Sequence, residues 1–219
     1  MTEKTHESDC QHDAQESLIR LLLLDVMIAQ ERFEKNKTQS CMRDIVRTVF
    51  AAIEGMSWIY REHIVSAAKE VGEITLAEEM ALSEVAYQVT DQGMINEQAR
   101  YLPIPAAIRL TTRIAKKIAP NLDVSFGTSG WDHFRQASGV RNRITHPKTR
   151  TDLLLTSEDV SLCVSALHWL LEVAEQAMTA TNLAFAAHTA EMREIFERLE
   201  KGDPETWAMY RAILAAGDE

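Results

Sequence analysis

The strongest structural signal in the sequence is an amphipathic pattern between Ser40 and Gly72. Its apolar residues recur at steps of three and four, the spacing that places side chains on one face of an α-helix. These residues are Ile45, Val49, Ile53, Met56, Tyr60, Ile64, Ala67 and Val71. Because a strand would need alternation at every second residue, the pattern predicts one long helix that Gly72 ends.

Further helical patterns lie on both sides of this segment. The first begins at Ser17, and the others cover about 76–87, 106–118, 130–146, 157–199 and 204–215. Ser129 with Asp132, and Thr156 with Asp159, resemble capping boxes. Pro147 must end the helix that begins after Ser129, because the residue before a proline avoids the α conformation. Only 8 Gly and 5 Pro interrupt the chain, and no stretch forms a convincing strand, so the predicted fold class is an all-α, up-and-down helical bundle.

The chain divides into three predicted parts. Residues 1–14 lack apolar periodicity and are expected to form a flexible acidic tail, residues 15–200 a helical bundle domain, and residues 201–219 a helical C-terminal appendage. The longest apolar stretch is interrupted by Arg20 and Asp25, which argues against a membrane span. The polar start MTEKTHESDC and the three scattered cysteines, expected to be free thiols, predict a cytoplasmic protein.

The charge of the chain is unevenly distributed. The formal net charge is −10, which by itself disfavours a nucleic-acid partner. Between residues 100 and 150, however, ten basic residues face only two acidic ones, Asp123 and Asp132. This asymmetry predicts a positive cleft that binds a polyanion, or else basic side chains spread over solvated helix faces.

The segment WDHFRQASGVRNRITHPKTR, residues 131–150, contains the residues best suited to chemistry. Its apolar stripe is formed by Phe134, Ala137, Val140 and Ile144. Arg141 follows Phe134 by seven residues and therefore lies within the stripe, where it must be paired or line a cleft. His146 stands where Pro147 stops the helix, so its ring can share a site with Arg141 or simply complement the helix dipole.

The run RNRITH, residues 141–146, resembles the motif of the HEPN superfamily, in which arginine, a polar residue and three spacers precede histidine. HEPN domains are small all-α up-and-down bundles. In this chain the motif lies late in a predicted helix and is followed by another long apolar helix, which fits that fold. The resemblance implies a metal-independent endoribonuclease that needs no cofactor. It also implies a homodimer in which the motifs of two protomers meet to form one composite site.

Carried over to this chain, the resemblance makes His146 the general acid and base, Arg141 the ligand of the scissile phosphate, and Asn142 a group that orients either of them. The implied products carry 2′,3′-cyclic phosphate and 5′-hydroxyl ends. Arg143, Lys148 and Arg150 surround the motif and are expected to attract the RNA backbone, or to be ordinary charges near a helix end.

Two other interpretations remain open. HEPN-like domains include members that bind RNA, nucleotides or proteins without cleaving, and a pattern with three fixed positions also arises by chance in unrelated bundles. If the chain is a nuclease, a toxin or a phage-defence effector with an antitoxin or other operon partner is expected. In some HEPN toxins a tyrosine two residues after the histidine is the target of antitoxin modification, but Lys148 stands there in this chain.

Overall fold

The computed structural model describes the backbone of residues 4–216 and the side chains of residues 18–215. This part of the chain is mostly helical, which confirms the predicted all-α class. The elements are α1 (Lys4–Lys35), α2 (Gln39–Glu70), α3 (Leu76–Leu82), β1 (Val85–Val89), β2 (Ile95–Ala99), α4 (Ile104–Ile118), α5 (Ser129–Thr145), α6 (Ser157–Glu200) and α7 (Pro204–Ala216), with a 3-10 turn at Arg150–Leu153 before α6. No helix in the described residues is long and apolar enough to cross a membrane.

Helix α2 lies at the centre of the bundle and packs against α1, α4, α5 and α6. Six of the eight apolar positions that predict this helix are buried, including Ile53, Tyr60 and Ile64 with no exposed surface. Ala67 and Val71 are half-buried, and Val71 is the residue that follows the end of α2. The first half of α6 is the second buried element, whereas most of its C-terminal half is exposed. The predicted capping box of Thr156 and Asp159 is confirmed at the start of α6.

The two ends of the chain are helical where they are described. Helix α1 begins at Lys4, so its backbone includes most of the segment predicted as a flexible tail, residues 1–14. The side chains of that segment, Cys10 among them, lie outside the described residues. At the other end, α7 folds back on α6, since the Trp207 indole N–H donates to the Leu199 carbonyl at 3.0 Å. Cys41 and Cys163 are free thiols, as predicted, and burial raises the pKa of Cys163 to about 12.

Two predictions about local structure are wrong. The helix expected over 76–87 ends at Leu82, and an antiparallel hairpin of β1 and β2 follows in which Val89 pairs with Ile95. The sequence VAYQV contains β-branched and aromatic residues, which favour strands, and Gly93 supplies the left-handed conformation (φ 75°) that the turn needs. The capping box of Ser129 and Asp132 is also absent, because α5 begins one residue earlier, after Thr128, without a side-chain cap.

Glu78 joins α3 to α4, and its ionisation links the stability of the folded protein to pH. It completes a capping box with Thr75, and the Lys117 ammonium lies 2.7 Å from its Oε2. The Lys117 hydrogen bond, and then the Thr75 backbone N–H, lower the pKa of Glu78 from 4.5 to about 2. A carboxylate whose pKa is lowered by folding stabilises the protein above its ordinary pKa, and this contribution is lost as the pH falls toward 2. Glu78→Gln keeps a side-chain acceptor for the capping box but loses the ion pair, so it is expected to destabilise the protein by about 0.2–1 kcal/mol at pH 7. Urea unfolding at pH 7 and pH 3 should show the difference from wild type shrinking in acid.

Two glycines of α5 should respond to alanine in opposite directions. A Cβ on Gly130 would collide with the Trp169 indole, whose Nε1 would be 2.9 Å away, and that ring is packed against Trp131 and Phe134. Gly139 is exposed and has open space around it, so the close approach that a mid-helix glycine suggests is not found within the described chain. Gly130→Ala is expected to cost about 1–3 kcal/mol, and Gly139→Ala to add about 0.4–1 kcal/mol. Thermal unfolding of both variants would check the opposite signs, and two equal shifts would contradict them.

Candidate functional site

A cleft with a volume of about 610 Å³ lies between α2, the N-terminal end of α4 and α5. The segment that follows the hairpin completes its wall. Its charged and aromatic lining includes Glu54, Trp58, Arg61, Glu84, Tyr101 and Arg141. Two arginines therefore face two glutamates, and the cleft is close to electrically balanced rather than strongly positive.

Arg141 is both paired and located at a cleft, the two alternatives that its place in the apolar stripe predicts. Its side chain is 31% exposed and lines the cleft, and its Nη2 lies 2.6 Å from Oε1 of Glu54 on α2. Its other terminal nitrogen donates to Oδ1 of Asn142 at 3.2 Å. The guanidinium is thus held at the cleft wall by one carboxylate and one amide, and it remains accessible to an anion that enters.

The three residues of the motif are only partly brought together. Asn142 lines the cleft beside Arg141. His146 is the C-cap residue of α5, and its backbone N–H donates to the Asn142 carbonyl at 3.0 Å. Its side chain is exposed and is not part of the cleft lining. Within one chain, therefore, Arg141 and Asn142 share a site, and the histidine lies on the surface just beyond the end of the same helix.

The three residues expected to attract RNA differ in their surroundings. Arg143 is ion-paired with Asp159 at 3.1 Å, and its Nε is buried without a hydrogen-bond partner in the described chain. This contact ties α5 to the first turn of α6, so the guanidinium has a structural role. Lys148 and Arg150 are exposed in the loop between the two helices. That loop is ordered by Asp152, whose carboxylate accepts from the Lys148 backbone N–H at 2.8 Å.

Three of the basic residues between 100 and 150 are held by contacts within the fold. Arg109 lies over the rings of Phe126 and Trp131, and Lys116 donates to the Val124 carbonyl. Lys117 is paired with Glu78. These three charges therefore stabilise the fold, a role that neither alternative of the charge asymmetry describes.

Sequence reasoning missed the residues that α2 and the hairpin bring to the cleft. Glu84 stands between α3 and β1 in a left-handed conformation (φ 56°), which is strained for a residue with a side chain. Its carboxylate lies 3.1 Å from the Arg61 guanidinium and also accepts from the backbone N–H of Leu102 at 2.8 Å. The weak signal available was a charged and aromatic set at helical spacing on α2, opposite its buried face.

Metal-ligating side chains are not clustered in the described residues, where no group of three or more His, Cys, Asp or Glu could hold a metal ion.

The likeness to the HEPN motif is carried by six residues, Arg141 to His146, and by their position at the end of a helix. A scan of protein-family models and searches of curated proteins and of solved structures find no match to the chain.

Proposed function

We propose that this chain is a metal-independent endoribonuclease of HEPN type, acting on cytoplasmic RNA as a toxin or phage-defence effector. One observation carries the proposal. The RNRITH motif occupies the last turn of α5 in a helical bundle, with Arg141 and Asn142 lining the cleft and His146 exposed where the helix ends.

The proposed reaction needs only these side chains. A base removes the proton of the ribose 2′-hydroxyl, and the 2′-oxygen attacks the neighbouring phosphorus. The bond to the 5′-oxygen breaks, and an acid protonates that leaving group. His146 supplies proton transfer, because imidazole can accept and donate protons near neutral pH. Arg141 stabilises the additional negative charge on the phosphate, and Asn142 orients the guanidinium that it already contacts.

A second protomer would complete the site. Because His146 lies outside the cleft lining of its own chain, a pairing that brings two α5 ends together would place histidines and arginines around one phosphate. Exposed apolar side chains support self-association, among them Leu21, Leu24 and Met27 on α1. Lys148 and Arg150, exposed beside the motif, would attract the RNA backbone. An antitoxin or another operon partner would restrain the activity.

Cleavage of end-labelled total RNA and tRNA in the presence of EDTA tests the proposal. The purified protein is expected to cleave and to leave 2′,3′-cyclic phosphate and 5′-hydroxyl ends. A preparation of His146→Ala made in parallel reports any contaminating ribonuclease. Cleavage of equal strength in both preparations, or products with 3′-hydroxyl ends, would overturn the proposal.

A non-catalytic binding module is the second candidate. It is favoured by one feature, the ion pair of Arg141 with Glu54, which occupies the guanidinium while His146 lies outside the cleft. Such a module would accumulate without toxicity and would retain RNA or a protein during purification. A folded dimer that binds RNA but leaves it intact under all the conditions above would favour this function.

A further inference from the structure

Two aromatic side chains line the cleft and remain open to solvent. The Trp58 side chain on α2 is 43% exposed, and that of Tyr101, after β2, is 84% exposed. Neither ring contacts another aromatic ring in the described part of the chain, in contrast to the packed cluster that contains Trp131 and Trp169. Large exposed aromatic surfaces at a cleft are characteristic of sites where a flat ligand stacks.

Ser57 lines the same cleft, and its hydroxyl makes no hydrogen bond with any described residue. The Arg61 guanidinium is ion-paired instead, because its Nη1 lies 3.1 Å from the Glu84 carboxylate and its Nε lies 3.7 Å from that of Glu62. Buried polar atoms are normally satisfied, and rotation of the Ser57 side chain would bring its hydroxyl to a ligand in the cleft. The hydroxyl can donate or accept a hydrogen bond.

The aromatic and polar groups are arranged together. Glu54, Ser57, Trp58 and Arg61 stand at positions i, i+3, i+4 and i+7 of α2, which places them on one face of the helix. Tyr101 is held on another wall, where Glu84 binds the neighbouring backbone N–H of Leu102. The volume of about 610 Å³ is that of a typical small-ligand site.

We propose that this cleft binds a nucleobase whose attached phosphate lies on Arg141. The base stacks on Trp58 and Tyr101, and its polar edge bonds to the Ser57 hydroxyl. A single-stranded RNA and a free nucleotide both carry this chemistry. In its RNA form the inference rests on the proposed function, because the base would then be the neighbour of the scissile phosphate. Trp58 would contribute affinity by stacking, and the hydrogen bond to the base edge would set base preference.

The test measures binding of three probes: a short single-stranded oligonucleotide with 2′-deoxy sugars, which cannot be cleaved by this route, the four nucleoside monophosphates, and ribose 5-phosphate, which has no base. The variants are Trp58→Ala and Tyr101→Ala. Trp207→Ala is the matched control, since Trp207 on α7 is 40% exposed and is not part of the cleft lining. Circular dichroism of each variant serves as the control for folding.

The oligonucleotide is expected to bind about tenfold more weakly to Trp58→Ala and to Tyr101→Ala, and equally well to Trp207→Ala and wild type. If the monophosphates bind and the oligonucleotide does not, and if their affinity falls in both cleft variants, the inference is supported with a free nucleotide as the ligand. Equal affinities of wild type and both cleft variants, or ribose 5-phosphate binding as tightly as the monophosphates, would overturn it. If the wild type cleaves RNA and Trp58→Ala cleaves it with the same kinetics, this inference is overturned and the proposed nuclease stands. If binding depends on Trp58 but no RNA is cleaved, the proposed nuclease is overturned and this inference stands.

Discussion

Replacing His146 by alanine is expected to slow RNA cleavage by about 10²–10⁴-fold, the usual contribution of a general acid or base. Stability should hardly change, because the side chain is exposed and makes no hydrogen bond with a described residue. The backbone contact that ends α5 comes from the His146 amide N–H, which alanine retains. Single-turnover cleavage of one labelled RNA, with saturating protein, measures the chemical step directly.

His133→Ala provides the matched control for this prediction. His133 is also exposed and lies on the same helix, so the variant loses the same group from a position outside the motif. Its cleavage rate should equal that of wild type. If His146→Ala cleaves at the wild-type rate, His146 is not the acid or base, and the resemblance to the HEPN motif is accidental.

The long helices could be predicted because their signals are local and repeated. In α2 the apolar stripe recurs over the whole helix, so a few exceptions do not obscure it. The start of α6 follows from Thr156 and Asp159, which satisfy each other's backbone N–H groups within four residues. Such patterns need no knowledge of tertiary contacts.

The short elements could not be predicted in the same way. Helix α3 and strand β1 have too few residues to establish a period, and the boundary between them depends on Glu84 adopting a left-handed conformation. That conformation is supported by the contacts of Glu84 with Arg61 and Leu102, which are distant in sequence. The role of Gly130 likewise depends on Trp169 of another helix.

The surroundings of Arg141 could be predicted only in part, because its partner and the cleft walls are distant in sequence. The place of Arg141 in the apolar stripe correctly indicates that it is either paired or at a cleft, and it is both. Its partner Glu54, however, is 87 residues away in the chain, and nothing local connects the two. The other cleft walls come from α2, α4 and the end of the hairpin, so the shape of the site depends on packing.

Replacing Arg141 by alanine is expected to lower cleavage by about 10²–10³-fold, as does the loss of one preorganised donor to a developing negative charge. Arg141→Lys should recover only part of the rate, because an ammonium keeps the charge but loses the paired donors of the guanidinium. The ratio kcat/KM for one labelled RNA would be compared between the three proteins. A lysine variant as slow as the alanine variant would show that geometry outweighs charge, whereas a wild-type rate in Arg141→Ala would exclude a role for the guanidinium.

Glu54 determines how available that guanidinium is. Before Arg141 can bind a phosphate, its ion pair with Glu54 must open or be shared, and a pair this exposed contributes about 0.2–1 kcal/mol. Glu54→Gln is therefore expected to increase affinity for an uncleavable RNA by up to about fivefold. Glu70→Gln, which removes a carboxylate from the exposed C-terminal end of the same helix, should have less effect. If Glu54→Gln instead slows cleavage as much as Arg141→Ala does, Glu54 positions the arginine for the transition state rather than competing with the phosphate for it.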